Sequence, residues 1–234
     1  MRPVEDLCVP ECEICGGSGY IALDEHDIHK PQFGRLEFCP NVDKWGLPGA
    51  IRYGLEKSEI ESMDWDGLMD PEAAEGLIKA VERLIERGHG WLYVWGPYGL
   101  GKTYALKTAV AILLRSGKEA SYVRMAQIMD RLRSGFENPE VADSNMNWWT
   151  GVPFLAIDEF DRMRSTEYAS EQQFVLMDQR YESAVREQTA TIIASNHKPE
   201  DLETPGSGYL VDRIRDRRFE VLEMIGDSMR QVIR

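Results

Sequence analysis

The chain is 234 residues long, 43% hydrophobic and 29% charged, which is long enough to bury a sizeable core and ordinary for a globular protein. A net charge of −13 excludes broad electrostatic attraction to nucleic acid or anionic lipid, so any DNA contact has to be local, made by a few arginines on an acidic body. No apolar run is long enough to span a bilayer, and the first residues, Met1-Arg2-Pro3-Val4-Glu5-Asp6, lack the apolar stretch of a signal peptide, so a cytoplasmic protein with no membrane partner is expected.

Residues 1–47 are rich in Cys, Gly, Pro and charge, have no sustained helical period, and read as a small loop-rich module. All 4 cysteines fall here, and in an intracellular chain such a cluster points to a metal rather than to disulfides. Cys12 and Cys15, with two residues between them and followed by Gly16-Gly17-Ser18-Gly19-Tyr20, let two thiolates approach one ion, and Cys39 adds a third. Four soft ligands in a tetrahedral array favour Zn²⁺. Asn41-Val42 stands where a second Cys-x-x-Cys would continue, so the fourth ligand is Cys8, with His26 or His29 as alternatives. The competing reading is a set of reduced structural cysteines. Zinc would serve to fold a module too small to hold itself together by core burial.

Residues 48–69 read as a connector. A helix is expected to open at Asp70-Pro71, an N-cap followed by proline at the first position, with Leu77, Ile78, Val81, Leu84 and Ile85 on one face. The wholly apolar run Trp91-Leu92-Tyr93-Val94-Trp95 then predicts a buried strand. It leads into Gly96-Pro97-Tyr98-Gly99-Leu100-Gly101-Lys102-Thr103, which fits the phosphate-binding pattern G-x-x-x-x-G-K-[ST] at every fixed position, with Tyr104 next along. Ala105, Leu106, Ala109, Ile112 and Leu113 recur at helical spacing beyond it. In such a strand–loop–helix unit the glycines let the backbone wrap an anion, and the N–H groups at the helix start bind phosphates. Lys102 would reach the terminal phosphates of ATP and Thr103 would place its hydroxyl on Mg²⁺.

From there strand and helix alternate: a strand over 119–124, a helix over 125–134, a polar excursion over 135–151, a strand over 153–157, a helix over 170–187 and a strand over 189–195. This alternation implies an α/β fold with a parallel sheet flanked by helices and its ligand at the carboxyl ends of the strands. At one such end Phe154-Leu155-Ala156-Ile157 delivers Asp158 and Glu159, 55 residues beyond Thr103. Asp158 would hold Mg²⁺, and Glu159 would orient and deprotonate the attacking water. At another, Thr191-Ile192-Ile193-Ala194-Ser195 ends in Asn196, placed to meet the γ-phosphate or the water.

These elements resemble the AAA+ ATPases over roughly residues 90–234, with Gly96–Thr103 as Walker A, Phe154–Glu159 as Walker B and Asn196 as sensor 1. Val211-Asp212-Arg213-Ile214-Arg215 is similar to the arginine-finger segment of the DnaC/IstB-like subgroup, which includes replicative helicase loaders. The resemblance implies a P-loop AAA+ domain over 70–234 with no separate lid domain. It implies further that Arg213 reaches a neighbouring subunit's nucleotide and that Arg230 contacts the nucleotide of its own. It also implies ATP-dependent self-assembly into a ring or spiral, a replicative hexameric helicase as partner of the 1–47 module, and single-stranded DNA near Arg124, Arg131, Arg133, Arg162 and Arg164. Arginine suits these tasks because its charge is permanent and its fork matches phosphate oxygens. An IstB-like transposition helper acting on duplex DNA and a nucleotide-gated scaffold stand as the alternative readings.

Overall fold

The computed structural model describes residues 12–16, 20–22, 36–39, 53–68, 74–134, 139–162, 166–202 and 207–226. The chain divides into two compact units, Met1–Ser58 and Glu59–Arg234. In the first, the short strands β1 (Tyr20–Ala22) and β2 (Leu36–Phe38) pair antiparallel, with Tyr20 opposite Phe38 and Ala22 opposite Leu36.

The second unit begins within α1 (Lys57–Ser62), continues through a 3₁₀ turn at Trp65–Gly67 and α2 (Glu75–Arg87), and then reaches a five-stranded sheet. Its strands are β3 (Gly90–Trp95), β4 (Ala120–Arg124), β5 (Phe154–Asp158), β6 (Ala190–Ser195) and β7 (Glu220–Glu223), in the order β4-β5-β6-β3-β7, and every pairing is parallel. Helices α3 (Lys102–Arg115), α4 (Met125–Ser134), α5 (Pro139–Gly151), α6 (Glu167–Val185) and α7 (Ser207–Ile214) connect them. Parallel strands need crossovers that cover the sheet, so the strands become apolar on both sides. The inner strands obey this: every residue of β5 and β6 is buried. Trp91 of β3 is also buried, stacks on Phe219 at 5.4 Å and meets Tyr181 of α6 edge-on at 6.0 Å.

One segment departs from the expectation drawn from sequence. Residues 135–151, read as a polar excursion, contain α5. The buried Trp149 and the partly buried Met146 and Trp148 pack into the core at its C-terminal end, while its polar residues had hidden the helical stripe. Trp149 is thereby a packing residue. The expected cap at Asp70-Pro71 lies outside the described residues.

Arg180 of α6 has no exposed surface, yet its partners are neutral. It donates to the carbonyls of Val152 (2.5 Å) and Ala190, to the Thr191 hydroxyl (3.0 Å), and at 3.4 Å to the carbonyls of Trp149 and Thr150. The last turn of α5 leaves carbonyls without helical partners, and a cation suits that end of a helix dipole. Arg180 therefore bolts the end of α5 to β6. Burial pushes its pKa down to about 9.

Candidate functional site

β3 ends at Trp95 and the chain turns at Gly96, where φ is 148°. A Cβ on Gly96 would stand 2.5 Å from the Met224 carbonyl oxygen, so only glycine fits. Gly101 (φ 78°) is the N-cap of α3 and offers no side-chain cap bond. The first-turn N–H groups of α3 thus face the loop at the positive end of the helix, an arrangement suited to phosphate. Lys102 is buried and lies across the loop, with Nζ donating to the carbonyls of Gly96 (2.6 Å) and Pro97 (2.7 Å).

On the opposite side β5 presents its carboxylates. Asp158, 4% exposed, accepts at Oδ2 from the Thr103 hydroxyl (2.7 Å) and the Tyr122 hydroxyl (2.9 Å), and at Oδ1 from the Glu159 N–H (2.8 Å). Burial first, and the Asp158 charge second, push up the Tyr122 pKa. The Thr103 hydroxyl and the Asp158 carboxylate converge as hard oxygen donors, the chemistry Mg²⁺ selects. Glu159 follows with a φ of 47°, a left-handed backbone that costs a non-glycine residue about 1–3 kcal/mol and is most often kept at functional positions.

Asn196 is tied to a residue that sequence reasoning passed over. The Asp161 carboxylate accepts from the Asn196 backbone N–H (3.1 Å), from Asn196 Nδ2 (3.1 and 3.4 Å) and from the Ser195 hydroxyl (3.2 Å), and His197 Nδ1 stands 3.2 Å away. Burial acts to raise the Asp161 pKa, but the hydrogen bonds from the Asn196 side chain and backbone outweigh it and leave it lowered. Tyr122 and Asp161 carry no motif: one is a strand residue in an apolar run, the other a single acid in a charged turn.

Phosphate loop, Asp158, Glu159 and Asn196 line one cavity of about 540 Å³, a volume within the range of small-molecule sites. Met63, Gly67, Leu68 and Tyr104 close it further along, and the Tyr104 hydroxyl donates to the Asp64 carbonyl (3.0 Å).

The arginines separate into groups. Arg124 ends β4 directly opposite Asp158, and its pKa is raised by the Tyr122 hydroxyl first, with Glu159 and Asp158 adding to it. Arg162 pairs with Glu159 (3.2 Å) and lies 5.1 Å from the Tyr98 ring. Both therefore stand beside the candidate base. On α4, Arg131 rests 5.9 Å from the Trp149 ring and Arg133 pairs with Asp130 (3.2 Å). Arg213 turns into its own chain, paired with Asp178 and set among the rings of Tyr181 (4.9 Å), Tyr209 (5.2 Å) and Phe174 (5.9 Å). Arg164 and Arg230 lie outside the described residues.

In the first unit the sulfurs of Cys12, Cys15 and Cys39 lie within 4.8 Å of one another, and Cys12 Sγ is 3.6 Å from Cys39 Sγ. Four sulfurs at the Zn–S bond length stand about 3.8 Å apart in a tetrahedron, so the three present fit such a site. The 2.7 Å bond from the Gly16 N–H to the Cys12 carbonyl closes the turn that brings Cys12 and Cys15 together. Cys8, His26 and His29 lie outside the described residues.

No family model matches the chain, and no curated protein matches it. Solved structures do. The replication initiator DnaA bound to AMPPCP and single-stranded DNA superposes with a TM-score of 0.59 at 17% identity, over 70% of this chain and 51% of DnaA. DnaI gives 0.57 at 16% identity, over 75% of this chain and 94% of the other, and the DnaC helicase loader gives 0.53 at 18%, over 69% and 98%. The chain thus spans about half the length of the initiators it matches. Sheet order, phosphate loop and these likenesses together give the chain the AAA+ fold of the DnaA, DnaI and DnaC structures.

Proposed function

We propose that the chain is an ATPase that loads or remodels a replicative helicase on single-stranded DNA. The observation that carries the reading is the convergence of the Thr103 hydroxyl on Asp158, beside Glu159 and opposite an uncapped helix start. ATP would lie in the 540 Å³ cavity with its phosphates on the loop, Lys102 at the terminal phosphates and Asn196, aimed by Asp161, at the reacting end. Thr103 and Asp158 would hold Mg²⁺, which supplies charge neutralisation at the phosphates. Glu159 takes the proton of a water whose oxygen bonds the terminal phosphorus, while the bond to the bridging oxygen breaks and its electrons leave with ADP.

Likeness to DnaC, DnaI and a DnaA bound to single-stranded DNA supports the replication setting. The Cys12–Cys15–Cys39 module, as a zinc-folded unit, is the proposed contact for the helicase, and residues 70–234 are the proposed ATPase domain. Assembly into a ring or spiral would multiply the few phosphate contacts one acidic subunit offers. For Arg213 to serve a neighbour, assembly must draw it out of its setting among Tyr181, Tyr209 and Phe174.

Fluorescence anisotropy with single strands and duplexes of equal length, with and without ATP, tests the proposal. Single-strand binding that requires ATP, and capture of a hexameric helicase that requires residues 1–47, are expected. A clear preference for duplex would replace the loader by the transposition helper.

A further inference from the structure

The Tyr122 hydroxyl has no part in the reaction as described. Tyr122 is 4% exposed and reaches Asp158 Oδ2 at 2.9 Å from β4, the strand paired with β5. Ala156, opposite Tyr122 in the register, is too small to block the ring from reaching Asp158, two residues on along the same face. An ionised carboxylate only accepts, so the hydroxyl donates. Arg124 hydrogen-bonds the same hydroxyl, and because a guanidinium only donates, the hydroxyl proton is left for Asp158. Tyr122 is therefore a fixed donor on one named oxygen.

A carboxylate has about four lone-pair sites, two on each oxygen. At Asp158 both sites of Oδ2 are taken, one by the Thr103 hydroxyl (2.7 Å) and one by Tyr122, while Oδ1 accepts the Glu159 N–H (2.8 Å). One site remains, on Oδ1, and Asp158 lines the cavity. A cation that takes a carboxylate bidentately needs a free lone pair on each oxygen. Ca²⁺ gathers more oxygens than Mg²⁺ and uses bidentate carboxylates to do so, whereas Mg²⁺ keeps several waters and a strict octahedral geometry. We propose, resting on the reading of Thr103 and Asp158 as the Mg²⁺ donors, that Tyr122 is a specificity-determining residue whose hydroxyl closes Oδ2 and makes the nucleotide site choose Mg²⁺ over Ca²⁺. Thr103 does not achieve this alone, because one donor leaves Oδ2 its second lone pair. Nor does water stand in for Tyr122, since the ring is buried and one missing hydroxyl leaves too little room for it.

The test is equilibrium ATP binding by the full chain in saturating Mg²⁺ and in saturating Ca²⁺, for the parent and for Tyr122→Phe, which removes the hydroxyl and keeps the ring. It reads the choice of cation without any turnover. The parent should bind ATP at least roughly tenfold more tightly in Mg²⁺ than in Ca²⁺, and Tyr122→Phe should narrow that ratio by roughly tenfold, chiefly by gaining affinity in Ca²⁺. A merely structural role for Tyr122 would weaken binding in both cations alike and leave the ratio where it was, and that result overturns the proposal. A parent that binds ATP equally tightly in the two cations also overturns it, so the decision does not depend on the variant folding. ATP binding that needs no divalent cation, or no ATP binding at all, defeats the Mg²⁺–nucleotide reading of the site and this proposal with it.

Discussion

The two units of the chain are organised around different chemistry. In Glu59–Arg234 the sheet is buried strand by strand, and full burial contributes about 1.5–3 kcal/mol for each large apolar side chain. In Met1–Ser58 the described residues include two three-residue strands, a cluster of three sulfurs and the buried Leu55. The larger unit can carry costly features: a left-handed Glu159, a buried guanidinium with no carboxylate partner among the described residues, and a buried carboxylate that accepts three hydrogen bonds. A module whose described residues bury little apolar surface has no such reserve among them, and a metal is the natural substitute.

Removing metal is the sharpest way to break that comparison. The protein should carry about one Zn per chain, and binding free energies for structural zinc are on the order of 10 kcal/mol, more than most small domains hold in reserve. Cys12→Ser and Cys15→Ser should each lose the metal and unfold the first unit while the second still melts cooperatively. Elemental analysis followed by two-probe thermal unfolding reads both. Protein prepared without chelator and free of transition metal would end the zinc reading, and the reduced-cysteine alternative would take its place.

Next in size are the changes inside the larger unit that leave its fold alone. Lys102→Ala should abolish productive nucleotide binding, whereas Glu159→Gln should keep binding and lose turnover by about 10² to 10⁴, because only the second leaves the phosphate cradle intact. Equilibrium nucleotide binding and phosphate release, measured on both variants, check this. Equal losses of binding in the two would mean that Glu159 serves the cradle and not the water.

Arg180→Met removes no atom from the cavity, yet it leaves the Val152 and Ala190 carbonyls without their donor. Each such buried group costs about 1–3 kcal/mol, so a loss of about 3 kcal/mol or more in unfolding free energy is expected, with zinc content unchanged. Urea unfolding measures it. A variant as stable as the parent would show that water replaces the guanidinium and that α5 is not bolted to β6 through it.

The sequence made different parts of the site visible for a physical reason. Gly96, Gly101, Lys102 and Thr103 stand out because backbone geometry and phosphate chemistry restrict those positions to few residue types at fixed spacing. The apolar runs of β3, β5 and β6 were equally plain, since parallel strands are buried on both sides. Arg180, Tyr122 and Asp161 act through partners 10 to 36 residues away, a relation that no local period records. Arg162 was visible as a charge, but its setting beside Glu159 and Tyr98 was not. Its neighbour on the page of the sequence, Glu159, became its partner in space only because the turn at φ 47° folds the two side chains together.

The smallest expected effect concerns Asp161, and its sign follows from its lowered pKa. Between the depressed folded value and the ordinary unfolded one, the unfolded chain binds more protons, so stability falls as pH falls. The contribution of the Asp161 carboxylate should be complete above about pH 4 and disappear as pH drops through the folded value. Asp161→Asn should therefore cost about 1 to 2 kcal/mol near neutrality, as expected for hydrogen bonds to a charged group, and progressively less in acid. It should also slow hydrolysis, because the carboxylate that accepts from Asn196 at 3.1 Å is what aims that amide at the cavity. Urea unfolding at a series of pH values, paired with phosphate release, reads the two effects separately. A destabilisation that stayed constant into acid would assign the Asp161 contribution to packing, whereas unaltered hydrolysis would free Asn196 from its dependence on this carboxylate.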